Sequence, residues 1–510
     1  ALAGVMRLTS GRLDIDELRG KRGEADVAGR GSVSWALDEL RVSLTADARN
    51  LSLDDSLYQI LPAPAQRAWD QVRPKGTVDA SLTYSGIPRD DGSAGGFQLV
   101  LQPRELSATP TMVPYRLDQL AGKVTVLPDR VSLEDMTARH GDGRIRFSAT
   151  GAGVGSTVGT WDFSLSADAV TVDEDLLAAI PPALSDVMRS LRMRGVVGFD
   201  FTKLSIASTP TTQPSSPDAP PPLDVDFAMT LRASGASMDV GVPLEKIEGK
   251  ADFTGLSRGG KLAQLKGAID IASLNLSSYP VSNLRAQLLK PADAELLRID
   301  KLEADLASGK MAGQVECQLT ESGPASYAAG LILRNADVKQ LTGESAPDLR
   351  GSLSASFAIE GVTNDTATRR GRGDVSVNGQ QMYRIPLLLG LLQITNLSLP
   401  ITSPFSEAAA RYSIEGNRVT FENIEMRSKE MLMQGTGHMD FGTRQVRMTF
   451  VTDNTTWPKV PIIGELIQGA RHELLQIHVK GTIQEPKVSA GTMGTFTTTV
   501  DEVFRGEEKK

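Results

Sequence analysis

VTFENIEMRSKEMLMQGTGHMDF, residues Val419 to Phe441, decides how the chain is read. Val419 and Phe421 alternate with Thr420 and Glu422, and Ile424 and Met426 continue the alternation one step out of phase. Polar Ser428-Lys429-Glu430 interrupts the run, Leu432 resumes it, and Gly435 and Gly437 mark a tight bend or a close backbone approach. The spacing predicts strand, turn and strand. Leu13 to Leu18, Val131 to Met136 and Leu297 to Leu302 repeat the same order of apolar, any, apolar, charged, any, apolar. Within a dozen residues each meets a glycine-bearing segment, at Gly29 to Gly31, Gly141 to Gly143 and Gly309 to Gly313. A unit seen four times makes the chain an array before it is a set of domains.

A second repeat is longer. Leu53, Leu61 and Gly76 recur in kind at Val172, Ile180 and Gly195, each 119 residues on. Each copy predicts a strand, two short helices separated by proline, and a return to strand. Asp54 and Asp173 are the N-cap candidates, and Pro62, Pro64, Pro181 and Pro182 punctuate the helices. Ala336 to Leu341, followed by Gly351, predicts a shortened version of the same unit. The helical hairpins are expected to cover one end or face of the sheet between strand blocks.

The array divides into four modules: 1–130 with a helical hairpin, 131–296, 297–418, and 419–510 with a terminal helix. The proline-rich stretch at 209–222 is read as a solvated insertion in the second, for want of a large apolar anchor. Pro386 to Leu392 is apolar on every side, and Pro461 to Ala470 carries Ile462, Ile463, Leu466 and Ile467 on one helical face. Thr499 and Glu502 are spaced as a capping box.

Composition excludes several classes. A net charge of -8 and a pI near 5.3 do not suit a nucleic-acid partner or attachment to an anionic bilayer by overall charge. Cys317 is the only cysteine, which excludes a disulfide scaffold. No apolar run approaches the roughly 20 residues that span a bilayer. Ala1 to Val5 reads as ordinary strand with neither an initiating Met nor a signal pattern. The expectation is a longer chain whose anchor or export signal lies upstream.

Little points to catalysis. His140, His438, His472 and His478 have no partner at a metal-ligand spacing, so no metal and no cofactor is expected. Acidic pairs such as Asp54-Asp55 and Asp173-Glu174 read as helix starts, and the glycine clusters at 92–96 and 151–155 lack the context of a phosphate loop. Gly255-Leu256-Ser257-Arg258-Gly259 matches the nucleophile elbow formally, but a helix must follow that serine and here another alternating segment does. The chain is read as a non-enzyme.

The predicted fold is mainly β with short helices, an elongated and curled antiparallel β-sheet built from tandem modules. About thirty strands at roughly 4.8 Å each would make a stack on the order of 140 Å long. Two readings follow. If the sheet curls, its apolar face is the floor of a groove for acyl chains; if two sheets pack together, the core is dry.

The segment from Leu387 to Val488 resembles the AsmA-like C-terminal region of the AsmA, TamB and YhdP group of Gram-negative envelope proteins. The matching residues are Leu387 to Leu392, Phe405, Ala410 to Gly416, Val419 to Ile424, Gly435 to Phe441, Pro461 to Gly464 and Gly481 to Val488. The rest of the chain matches in style, apart from the proline-rich insertion and the missing N-terminal membrane helix. The resemblance implies a periplasmic, inner-membrane-anchored bridge along which phospholipids move between the inner and outer membranes, their acyl chains in an apolar β-groove. Candidate lining residues are Val131, Leu133, Ile145, Phe147, Leu297, Ile299, Val419, Phe421, Met448, Phe450, Ile477 and Val479. Sheet packing is the competing reading for each, since period two fixes a shared face and not which face is the groove. Protein partners at either end are also implied. The alternative is an assembly factor for outer-membrane proteins acting through strand edges. A carbohydrate-binding β-solenoid would need more aromatic platforms than four Trp and seven Tyr provide.

Overall fold

The computed structural model describes residues 2–492 apart from 36–39, 88–95, 154–158, 209–222, 320–323, 343–349, 381–404, 430–431, 454–474, 483–485 and the single positions 112, 181, 241, 293, 364 and 441. It forms two compact units divided between Ser277 and Ser278, with Lys290–Asp293 joining the first.

The first unit begins with β1 (Leu2–Thr9), β2 (Arg12–Arg22), β3 (Ala25–Ser34) and β4 (Arg41–Leu53), then α1 (Asp55–Ile60), α2 (Ala63–Val72), β5 (Lys75–Gly86) and β6 (Gly96–Ala108). The same set follows as β7 (Leu117–Val126), β8 (Arg130–His140), β9 (Gly143–Ala152) and β10 (Thr160–Thr171), then α3 (Glu174–Ala179), α4 (Pro182–Ser190), β11 (Arg194–Ser208) and β12 (Leu223–Asp239). The hairpin β13 (Pro243–Arg258) and β14 (Lys261–Leu276) completes it.

The second unit repeats the set as β15 (Tyr279–Lys290), β16 (Leu296–Leu306), β17 (Gly309–Gln318) and β18 (Ser326–Asp337), then α5 (Val338–Thr342), β19 (Arg350–Val362) and β20 (Asp365–Gln380). It closes with β21 (Glu407–Glu415), β22 (Arg418–Arg427), β23 (Leu432–Asp440), β24 (Gln445–Asp453), β25 (Leu475–Thr482) and β26 (Pro486–Thr492). Residues 454–474, which follow the fourth strand of this set, lie outside the described residues, as do the expected helical stretches at 386–392, 461–470 and 499–504 and the insertion at 209–222. Twenty-six strands and five short helices among the described residues make the protein mainly β, a tandem array of antiparallel strands as expected.

Within each unit every strand pairs antiparallel with its neighbours in sequence. The fourfold motif is the second strand of each set, so a set begins one strand before the motif does. Its irregular spacing is a β-bulge: the register slips between Ile15 and Leu18, Leu133 and Met136, Ile299 and Leu302, and Phe421 and Ile424. One extra residue lets apolar side chains on both sides of the slip keep to one face. Asp135 and Lys301 take it up in the left-handed region, at φ 50° and 51°. The fourth strand bulges likewise before the helices, at left-handed Asn50, Ala169 and Asn335.

The helices are bounded as their caps dictate. Asp54 accepts a hydrogen bond from the Leu57 N–H and Asp173 from the Leu176 N–H, each at 2.9 Å. Where the chain re-enters the sheet, Gly76, Gly195 and Gly351 occupy equivalent positions at φ 129°, 110° and 157°. At Gly195 an added Cβ would stand 2.8 Å from the Ala236 Cα on the next strand. Close strand approach therefore requires glycine there.

A candidate apolar binding face

The registers resolve which residues share a face. In the first unit a single line of paired residues crosses all fourteen strands: Leu2, Gly20, Val27, Ala48, Ala80, Leu101, Val124, Leu133, Ala149, Phe163, Leu204, Phe227, Gly255 and Leu265. None is polar. In the second unit a line through all twelve strands runs Leu288, Ile299, Val315, Ala329, Ile359, Gly371, Ile414, Val419, Met439, Val446, Gly481 and Pro486. It too contains no polar side chain. Fourteen strands at about 4.8 Å give the first apolar line a path of about 60 Å.

The other face is polar and charge-paired. Across β9 to β12, Asp168 accepts from Arg146 at 3.3 Å and from Arg232 at 2.8 Å, and Arg232 also pairs with Asp200. Lys203–Asp226 at 2.6 Å and Arg258–Asp224 at 3.0 Å extend the pattern. Such exposed pairs add little stability singly. On a sheet with one wet face they favour the register that turns the apolar residues away from them.

Burial on the apolar face is uneven. Consecutive hairpin connections alternate between the two margins of a sheet, and every described helix follows the fourth strand of a set. Within a unit the helices therefore share one margin. In the first unit the tightest packing is at that margin, where Val78, Ala167 and Val170 are no more than 1% exposed. Leu176 of α3 and Tyr115 pack there with Leu120, Met136, Ala138 and Ile145. His140 stacks on Tyr115 with ring centroids 4.0 Å apart; its Nδ1 is 2.8 Å from the Arg116 carbonyl oxygen and its Nε2 is 3.5 Å from Asp175. Burial, with Asp173 and Asp175 nearby, pushes the Tyr115 hydroxyl up to about 12. At the opposite margin Tyr84, Phe97, Val126, Val131, Trp161 and Ile206 are only half-buried.

Each of the twelve residues read as lining candidates points to the apolar face of its unit. Val131, Leu133, Ile145 and Phe147 are neighbours on β8 and β9, where Met136 pairs with Phe147 and Ala138 with Ile145. Leu297 and Ile299 lie opposite Cys317 and Val315. Phe421, Met448 and Val479 share one cross-strand line through Gly437, and Phe450 and Ile477 share the next. Val131, Leu133, Phe147, Leu297, Ile299 and Phe421 remain partly accessible, whereas Ile145, Val419 and Met448 are buried. Phe450, Ile477 and Val479 are 0% exposed, in a core with Met426, Met433 and Phe405. That end of the second unit is closed, and those three side chains offer no surface to a ligand.

Sequence reading missed the aromatic residues of β10 to β12. Trp161 and Phe163 stack at 5.8 Å, and Phe199 and Phe201 meet edge to face at 5.8 Å, all half-buried on the apolar face. Their concentration in one short segment of a chain with 5% aromatic residues was the available signal. Ser257 is the penultimate residue of β13 and donates to the Lys261 carbonyl at 3.0 Å, so the elbow-like sequence is a hairpin turn. Among the described residues no three His, Cys, Asp or Glu side chains converge to hold a metal ion, and no helix is long and apolar enough to cross a membrane. No protein-family model matches the chain, and no curated protein matches it.

Proposed function

We propose that the apolar face binds acyl chains and that the protein carries phospholipid along it between the inner and outer membranes of a Gram-negative envelope, without catalysis. The observation that carries this reading is the pair of unbroken apolar lines, one residue per strand, half-accessible over most of their length. An acyl chain regains about 0.8 kcal/mol for each methylene withdrawn from water. A polar residue on the line would interrupt that gain at every crossing. The likeness of Leu387–Val488 to the AsmA-like C-terminal region supports the same setting, a periplasmic protein anchored in the inner membrane. In the first unit the helices close one margin, and the headgroup stays at the other, where the face is open to water.

The test is lipid analysis of the full chain after gentle extraction, combined with a photo-crosslinking residue placed in turn at Leu133, Phe147 and Ile299. Phospholipid should copurify and crosslink at all three, and not at Ser132 or Thr150 on the opposite face. Lipid-free protein with no lipid adducts would overturn the proposal.

A further inference from the structure

The polar face of the last four strands departs from the charge pairing seen elsewhere. His438 of β23 lies opposite Arg447 of β24, Arg447 opposite Lys480 of β25, and Lys480 opposite Lys487 of β26. Four basic side chains thus stand side by side on consecutive strands, spanning about 14 Å at the usual strand spacing. Like charges directly opposite each other are unfavourable in a sheet. Elsewhere on this chain opposed bases have an acid on an adjoining strand: Arg139 and Arg144 lie between Asp118 and Asp168, and Arg232 and Lys250 between Asp200 and Asp270. Among the described residues no carboxylate lies within ion-pair distance of Arg447, Lys480 or Lys487, and all three are exposed. The next line on the same face, Thr436, Thr449, His478 and Ser489, is uncharged but rich in hydroxyl groups. Asp440, two residues from His438, is turned into its own hairpin, accepting from the Thr443 N–H at 2.7 Å and the Thr443 hydroxyl at 3.0 Å, and it faces Arg418 across the strand pair.

We infer that this basic strip is a docking surface for an anionic lipid bilayer. The strip is outward-facing, holds three neighbouring cations beside His438 and lies next to hydroxyl donors, which suits a plane of phosphate headgroups. It has no Phe, Tyr or Trp side chain on which a base could stack. A chain of net charge -8 would also repel a long polyanion that ran beyond the strip, whereas a bilayer need touch the strip alone. The strip lies on the opposite side of the strands from the apolar face, and its test does not require that face to hold lipid.

The experiment is flotation of the full chain with vesicles rich in phosphatidylglycerol, against vesicles of phosphatidylcholine alone, at low and high salt. Binding should favour the anionic vesicles and weaken with salt. Arg447→Gln with Lys480→Gln should lower that binding about thirty-fold, at about five-fold per cation. The double variant should unfold at the same temperature as the parent or slightly higher, because two opposed like charges are gone; a residue kept for the fold would move it down. Equal binding to both vesicle types would overturn the inference, as would unchanged binding of the double variant or equally tight binding to duplex DNA. Lipid copurifying with the double variant as with the parent would separate this strip from the apolar face.

Discussion

Phe421 and Ile424 are three residues apart on β22, yet their partners Gly437 and Gly435 are two apart on β23. The extra residue returns Ile424 to the face that Phe421 occupies, and the same slip recurs in the second strand of every set. The bulge is thus part of the repeating unit, and the apolar face depends on it.

At Lys301 the bulge residue is left-handed. Lys301→Gly should leave stability unchanged or raise it, while Lys301→Ile should cost about 1–2 kcal/mol, the penalty of forcing a branched side chain into that region. Urea unfolding of the two variants side by side checks this.

The closed end of the second unit predicts a steep response to cavities. Phe450 is fully buried with its ring against Gly435. Phe450→Ala should cost about 3–5 kcal/mol. Gly435→Ala should cost about 1–3 kcal/mol by overpacking the same ring. Equilibrium unfolding followed by an optical probe in the second unit gives both numbers.

The half-accessible face predicts a different pattern. Leu133→Lys should strip most copurifying phospholipid from the protein, because a charge would sit in the middle of the apolar line. Ser132→Lys, one residue away on the wet face, should leave the lipid content unchanged. Mass spectrometry of the purified variants reads the difference.

His438 and His478 are held below their ordinary value of 6.5, by burial first and then by Arg418 and Arg447 for His438 and by Lys480 for His478. With the folded value depressed, the unfolded chain binds more protons as pH falls below about 6.5. Stability present above that point should therefore decline as pH is lowered through the folded values. His438→Gln should flatten the decline, which a series of urea midpoints between pH 7 and pH 5 would record.

Asp173 caps α3, and its loss should loosen the helix margin without dissolving the sheet. Asp173→Ala is expected to cost about 1 kcal/mol. Amide exchange should speed up at Leu176 and Leu177 while the protection of β8 and β9 stays as it was.

The strands, and the short helices that follow β4, β10 and β18, were legible in the residues alone. Period two is a local property, so the alternation in β2, β8, β16 and β22 announced strands directly. The caps at Asp54 and Asp173 and the prolines after them are local too, and the helices fall where those residues required. The unit of repetition was visible through the motif, although the motif marks a second strand because only there does the bulge give a distinctive spacing. The pairing of strands, by contrast, joins residues far apart in sequence, and no single strand states its partner. Only the tertiary structure decided that Leu133 and Phe163 lie on one apolar line, that Phe450 is sealed while Phe147 is not, and that Arg447, Lys480 and Lys487 meet on consecutive strands. Each of those facts is a matter of register between segments, which the backbone hydrogen bonds fix once the whole sheet has formed.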